Sequence, residues 1–181
     1  MTTARMALGR PDHTRDRAAY RAGSFVLFAA AAILLTAFGF QYIGGYEPCE
    51  LCLLQRWPYY LAIPSLFLAL VLVSAEQHRV AALVFFAVAC LFLVNAGIGT
   101  YQAGAEWKFW PGPQSCSGDQ GIAQSAGGLL DSLKAVRVVR CDEPAFRLFG
   151  LSFAGWNVLA SFFLFAGAMK AAFLAASGSR A

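Results

Sequence analysis

Charge is what this chain has least of. Only 13% of its 181 residues are Asp, Glu, Lys or Arg, and 59% are hydrophobic. A soluble domain carries about 25% charged and about 45–50% apolar residues. The shortage is concentrated: no charged side chain occurs in residues 22–46, 57–75, 80–105 or 148–169. Each run reaches the roughly 20 residues with which a helix crosses about 30 Å of hydrocarbon. None alternates polar with apolar, which excludes a transmembrane barrel. Histidine is nearly missing, with only His13 and His78, and neither lies near the cysteines. No internal repeat, nucleotide-binding loop or Ser-His-Asp set is present.

These absences leave an all-α integral membrane protein, a bundle of four spanning helices. Its parts are an N-terminal segment (1–21), a four-helix domain (22–170) and a short tail (171–181). Arg15, Arg17 and Arg21 precede the first run in the manner of a signal peptide. That run is too long for the 7–15 residues, roughly, of a signal's apolar core, so it is read as a retained helix. Arg5, Arg10, Arg15, Arg17 and Arg21 lie before the first span, Arg79 between the second and third, and Lys170 and Arg180 after the fourth. The positive-inside rule then places both termini in the cytoplasm. It places the connections at about 46–56 and 106–147 outside. The net charge of +4 sits mainly at the N-terminus and suits anionic lipid headgroups, not nucleic acid.

There are five cysteines. Cys49, Cys52, Cys116 and Cys141 fall outside, where disulfides persist, and Cys90 lies inside the third run as a small apolar residue. The four exterior thiols allow three pairings. The C-x-x-C spacing favours Cys49–Cys52, which leaves Cys116–Cys141. On chain entropy, closing the latter loop stabilises it by roughly 3.5 kcal/mol, reason enough for a structural staple. A bridge across two residues closes almost nothing, so redox exchange or metal ligation explains the short pair better. Zinc is the weaker of these, because the second pair is widely spread and no histidine is near. His13 and His78 are read as solvated surface residues.

The stretch YEPCELCLLQR (46–56) carries the chemistry. A helix starting at Pro48 would put Cys49, Cys52 and Arg56 on one face. Its N-terminal end and the guanidinium would both favour a thiolate, against the opposing charges of Glu47 and Glu50. Arg56 either snorkels to the headgroups or, beside Trp57, Tyr59 and Tyr60, faces a lipid-soluble quinone, whose oxygen it would hydrogen-bond. Pro58 and Pro64 are expected to kink the second span. Asn95, in mid-run, is expected to bond across helices. Trp107, Phe109, Trp110 and Trp156 read as interfacial anchors. Within the long connection, residues 126–140 form an amphipathic pattern: either a helix on the outer membrane surface or an ordinary solvated one.

Four spans, EPCELCLLQR (47–56), TYQAGAEWKFWPGPQSC (100–116) and CDEPAFRLFGLSFAGWN (141–157) together resemble the disulfide bond formation protein B (DsbB) family. The likeness runs from about residue 23 to 169. It implies an inner-membrane thiol:quinone oxidoreductase that reoxidises a periplasmic DsbA-like thiol oxidase and passes the electrons to ubiquinone or menaquinone. It also implies that Cys49–Cys52 is the quinone-coupled disulfide, with Cys52 nearest the ring and Arg56 assisting. Cys116–Cys141 would then exchange with the partner through Cys116. Many relatives carry histidine after the tyrosine near the end of the third span; here Gln102 follows Tyr101. An amide cannot titrate, which leaves Glu106 and Tyr101 as substitutes for any proton-handling role. A vitamin K epoxide reductase-like enzyme and a non-enzymatic tetraspan scaffold are the competing readings.

Overall fold

The computed structural model describes residues 11–111 and 147–178. Cys116, Cys141, the disulfide expected between them and the amphipathic segment 126–140 lie outside the described residues, as does the side chain of His13. The elements run α1 (Pro11–Tyr42), α2 (Glu50–Leu54), α3 (Trp57–Ser74), α4 (His78–Glu106), β1 (Arg147–Leu148), β2 (Leu151–Ser152) and α5 (Phe153–Gly178). Four spans are long and apolar enough to cross a membrane: Thr14–Tyr42, Glu50–Ser74, His78–Glu106 and Phe153–Gly178. The chain is thus an all-α membrane bundle. Its helices bury a seam of small and large residues, with Ala30, Ala62, Ala89 and Ala168 beside Leu66, Phe85, Phe92 and Leu164. Small residues let backbones approach where lipid removes the hydrophobic drive for association. Large apolar side chains such as Phe28, Leu83 and Phe173 face outward, as suits a surface solvated by lipid.

Each helix end has a local cause. The first span closes at Tyr42, before the charge-free run does, because the chain turns there. The amides of Ile43 and Gly44 both bond to the Gly39 carbonyl, and Gly45 takes a φ of 69°, which only glycine adopts without cost. The turn from α3 to α4 is tight, with Glu76 at a φ of 60°. After α4 the chain folds back: Trp110 donates from Nε1 to the Tyr101 carbonyl at 2.9 Å and stacks on its ring. A Cβ on Gly104 would lie 2.1 Å from the Trp110 ring, so this fold-back requires glycine there. β1 and β2 pair antiparallel around Phe149 and Gly150, both at positive φ, as a two-residue hairpin requires.

Several expectations need correction. No continuous helix starts at Pro48: Cys49 caps the five-residue α2, the chain turns at Gln55, and α3 begins at Trp57. Pro58 therefore sits in the first turn of α3 and does not kink it, whereas Pro64 lies inside that helix. Cys90 is exposed; it faces out of the bundle and is not a core residue. His78 is not a solvated surface residue. Its side chain is 15% exposed, and its Nδ1 lies 3.5 Å from the Asp16 carboxylate, which closes one end of the bundle. Asn95 does bond across helices, donating to the Ser161 hydroxyl at 3.0 Å.

The packing yields a test away from the cysteines. A Cβ on Gly23 would meet the Phe85 ring at 2.7 Å and Leu70 at 3.0 Å. Gly23→Leu should therefore overpack the bundle and lower its stability by about 1–3 kcal/mol. Thermal unfolding in detergent would measure this, and an unchanged midpoint would contradict the close approach of α1 to α3 and α4.

Candidate functional site

The site starts from the dipeptide Pro48-Cys49, which ends the first connection. Cys49 has extended backbone and caps α2, its sulfur accepting from the Cys52 amide at 3.4 Å. A cap at this spacing brings the side chains of the two cysteines together. The Cys49 thiol donates to the Cys52 sulfur across 2.9 Å, and both are free thiols. Cys49 is buried and Cys52 partly so. The hydrogen bond to Cys52, reinforced by burial, pushes the Cys49 thiol well above the usual thiol range. Cys49 therefore holds its proton, and Cys52 carries the sulfur that accepts it.

Behind the thiols runs a line of amides. Gln102, from α4, donates its Nε2 to Cys52 at 3.3 Å and to Cys49 at 3.6 Å. The same nitrogen lies 3.3 Å from Glu106 Oε1, one helical turn on. Gln102 accepts at Oε1 from Gln55 Nε2 at 2.6 Å. Gln55 in turn accepts from Asn157 Nδ2, and Asn157 accepts from the Tyr59 hydroxyl at 2.8 Å. The array links the α2–α3 turn, α3, α4 and α5, and every member donates towards the thiols. Such chains polarise cooperatively.

Arg56 does not share a helical face with the thiols, since the turn at Gln55 intervenes. It is half-buried, donates to Gln41 Oε1 and lies 5.2 Å from the centroid of the Phe38 ring. A cavity of about 460 Å³ joins these groups. Cys49, Cys52, Arg56, Gln102 and Glu106 line it together with an aromatic wall of Phe40, Tyr46 and Phe153. The three rings pack on one another, Phe40 and Phe153 at 4.9 Å between centroids. The lining is mostly apolar with a few converging polar groups, and the volume falls in the range of small-molecule sites.

Of the residues singled out from the sequence, Cys49, Cys52, Arg56 and Glu106 thus come together around one cavity. Tyr101 does not: it is exposed and stacks on Trp110. Trp156 also lines the cavity, with its Nε1 bonded to the Leu148 carbonyl, so it does more than anchor. Gln41, Gln55 and Asn157 were missed. The available signal was polarity itself: Gln41 and Asn157 stand in charge-free runs, where an amide needs a partner.

The family model described as "Disulfide bond formation protein DsbB" matches residues 20–171. Disulfide bond formation protein B of Marinobacter nauticus is 31% identical over 145 residues, 74% of this chain and 80% of that protein. Its namesake in Verminephrobacter eiseniae is 29% identical over 153 residues, 80% of each. An uncharacterized protein of Rickettsia prowazekii is 26% identical over 148 residues, 80% of this chain and 82% of its own. No solved structure matches the chain significantly.

The thiol pair makes a pH-dependent claim. Between the ordinary thiol value of about 8.5 and the higher one of folded Cys49, the unfolded chain loses a proton that the folded chain keeps. The stability this proton brings to the reduced protein is complete below about pH 8.5 and declines as pH rises above it. Iodoacetamide at pH 8 should accordingly label Cys52 well before Cys49 in the reduced protein. Equal labelling of the two peptides by mass spectrometry would contradict the donor role of Cys49.

Proposed function

The chain belongs to the DsbB family, a family of disulfide bond formation, and on that premise we propose that it is a membrane thiol:quinone oxidoreductase. In this reading it reoxidises a DsbA-like periplasmic thiol oxidase and passes the electrons to ubiquinone or menaquinone in the bacterial inner membrane. Both termini lie in the cytoplasm and the cysteine pairs on the periplasmic face. The catalytic unit is the four-helix domain 22–170. The observation that carries the proposal is the adjacent Cys49 and Cys52 thiols in the wall of a largely apolar cavity with Arg56.

The residues present fit a quinone ring. Phe40, Tyr46 and Phe153 offer flat apolar surface, and Arg56 has five N–H donors, one of them on Gln41. Arg56 would bond a ring oxygen, and Cys52, whose sulfur accepts from Cys49, would stand nearest the ring. When bound, the quinone supplies an acceptor for two electrons and two protons. The chain's own residues do the rest. Cys116–Cys141, outside the described residues, receives the attack of a partner thiolate and forms a mixed disulfide at Cys116. A second partner thiol resolves it and leaves Cys116 and Cys141 reduced. These are then reoxidised by the Cys49–Cys52 disulfide through thiolate exchange. Cys49 and Cys52 end as the thiol pair, with Gln102 donating to both sulfurs.

Purified protein given a reduced DsbA-like protein should reduce a soluble quinone analogue, and Cys52→Ser should abolish that reaction. Turnover retained in the variant would sink the assignment. Arg56→Ala removes a charged hydrogen bond worth about 1.5–3 kcal/mol, so KM for the analogue should rise about ten- to hundredfold. Exchange with the partner should be little changed; a larger loss there would move Arg56 to the thiol-exchange site.

A further inference from the structure

Oxidation of two thiols to a disulfide releases two protons, and the sulfurs lie among groups of which most cannot take one. Gln102, Gln55 and Asn157 are amides. Of the two carboxylates that line the cavity, Glu47 and Glu106, the one that Gln102 ties to the thiols is Glu106. It is only 6% exposed, it lines the same cavity as both cysteines, and Gln102 Nε2 reaches its Oε1 and the Cys52 sulfur at 3.3 Å each. Two such legs from one nitrogen bring the carboxylate and the sulfur within reach of a single bridging water. Its other oxygen, Oε2, is sealed from solvent and meets no donor at hydrogen-bonding geometry, with the Ser152 hydroxyl near and Arg147 acting from β1. That oxygen keeps its lone pairs free to accept a proton.

We propose that Glu106 is the proton acceptor of the Cys49–Cys52 thiol pair, held at the sulfurs by Gln102. This rests on the thiol:quinone reading above. As the sulfur–sulfur bond forms, Cys49 and Cys52 give up two electrons and two protons. The electrons go to a quinone, which becomes a quinol on taking up two protons. Glu106 takes up the proton that the Cys49 thiol shares with the Cys52 sulfur, passes it to a quinone oxygen and is then a carboxylate again. The Cys52 proton has already gone to solvent, and a second solvent proton completes the quinol. The other charged and titratable groups on the cavity are Tyr46 and Glu47 from the first connection, Cys49 and Cys52 at α2, and Arg56 and Tyr59, with Arg147 acting from β1.

The test is Glu106→Gln, read two ways. In quinone-free protein, loss of a negative charge beside the sulfurs favours thiolate, so alkylation of the pair should shift to lower pH. Turnover with a soluble quinone analogue should instead fall on the order of 100-fold, the contribution of a positioned general base. More reactive thiols with slower turnover is a combination that a merely disturbed site does not produce. Unchanged turnover, or an unmoved alkylation profile, overturns the proposal. If turnover is lost and alkylation moves to higher pH, Glu106→Asp decides: recovered turnover supports the proton role and none overturns it. Should the wild-type protein itself fail to reduce the analogue, the functional reading has failed, while the alkylation profile still decides whether Glu106 acts on the thiols.

Discussion

A side-chain amide within a membrane bundle has no bulk water to bond to, and leaving its dipole unpaired costs several kcal/mol. The site is organised by that constraint. Gln55, Gln102 and Asn157 come from three parts of the chain and satisfy one another in a single line, begun by the Tyr59 hydroxyl. Because each amide has a donor end and an acceptor end, fixing one fixes the next. Gln102 Oε1 is taken by Gln55, which leaves its NH2 group to face the two sulfurs and the Glu106 carboxylate. Turning that one amide over would set its oxygen against a carboxylate oxygen.

The helices are shaped around the line. Gln55 reaches inward because α2 stops after five residues and the chain turns before α3. A continuous helix from Pro48 would carry Gln55 to a different face. Gly99 supplies the other half of the fit. A Cβ there would sit 2.8 Å from Val158 and 3.5 Å from Gln55 Oε1, so the missing side chain lets α4 and α5 close on the amides. The same turn separates Arg56 from the thiols along the chain while leaving both on one cavity.

This explains which features were legible in the sequence. The absence of charge from four long runs depends only on composition and length, and it located all four spans. The C-x-x-C pair was legible because a bridge over two residues has little structural use. The outward position of Cys90 was not, since a thiol within a greasy run suits either the core or the lipid. Nor was the inward turn of His78 onto Asp16, which depends on where two helix ends meet. The amide line was the hardest feature to foresee, because Gln55 and Asn157 are 102 positions apart and neither carries a motif. Solitary polar residues in apolar runs, Gln102 and Asn157 among them, are the one clue to it in the sequence.

Gln102 stands where many relatives are expected to have histidine, and the physical difference is sharper than a missing proton site. An imidazole presents a donor or an acceptor to a sulfur according to its tautomer and charge, so its contact changes with pH. An amide held by Gln55 at its oxygen presents a donor at every pH. The thiol pair then keeps a constant hydrogen bond while its own protons come and go. In the proposed mechanism, donation and proton uptake, which one histidine can combine, fall to separate side chains one helical turn apart. The amide itself can only donate to the sulfurs, and the proposal gives the proton to the Glu106 carboxylate one turn beyond it.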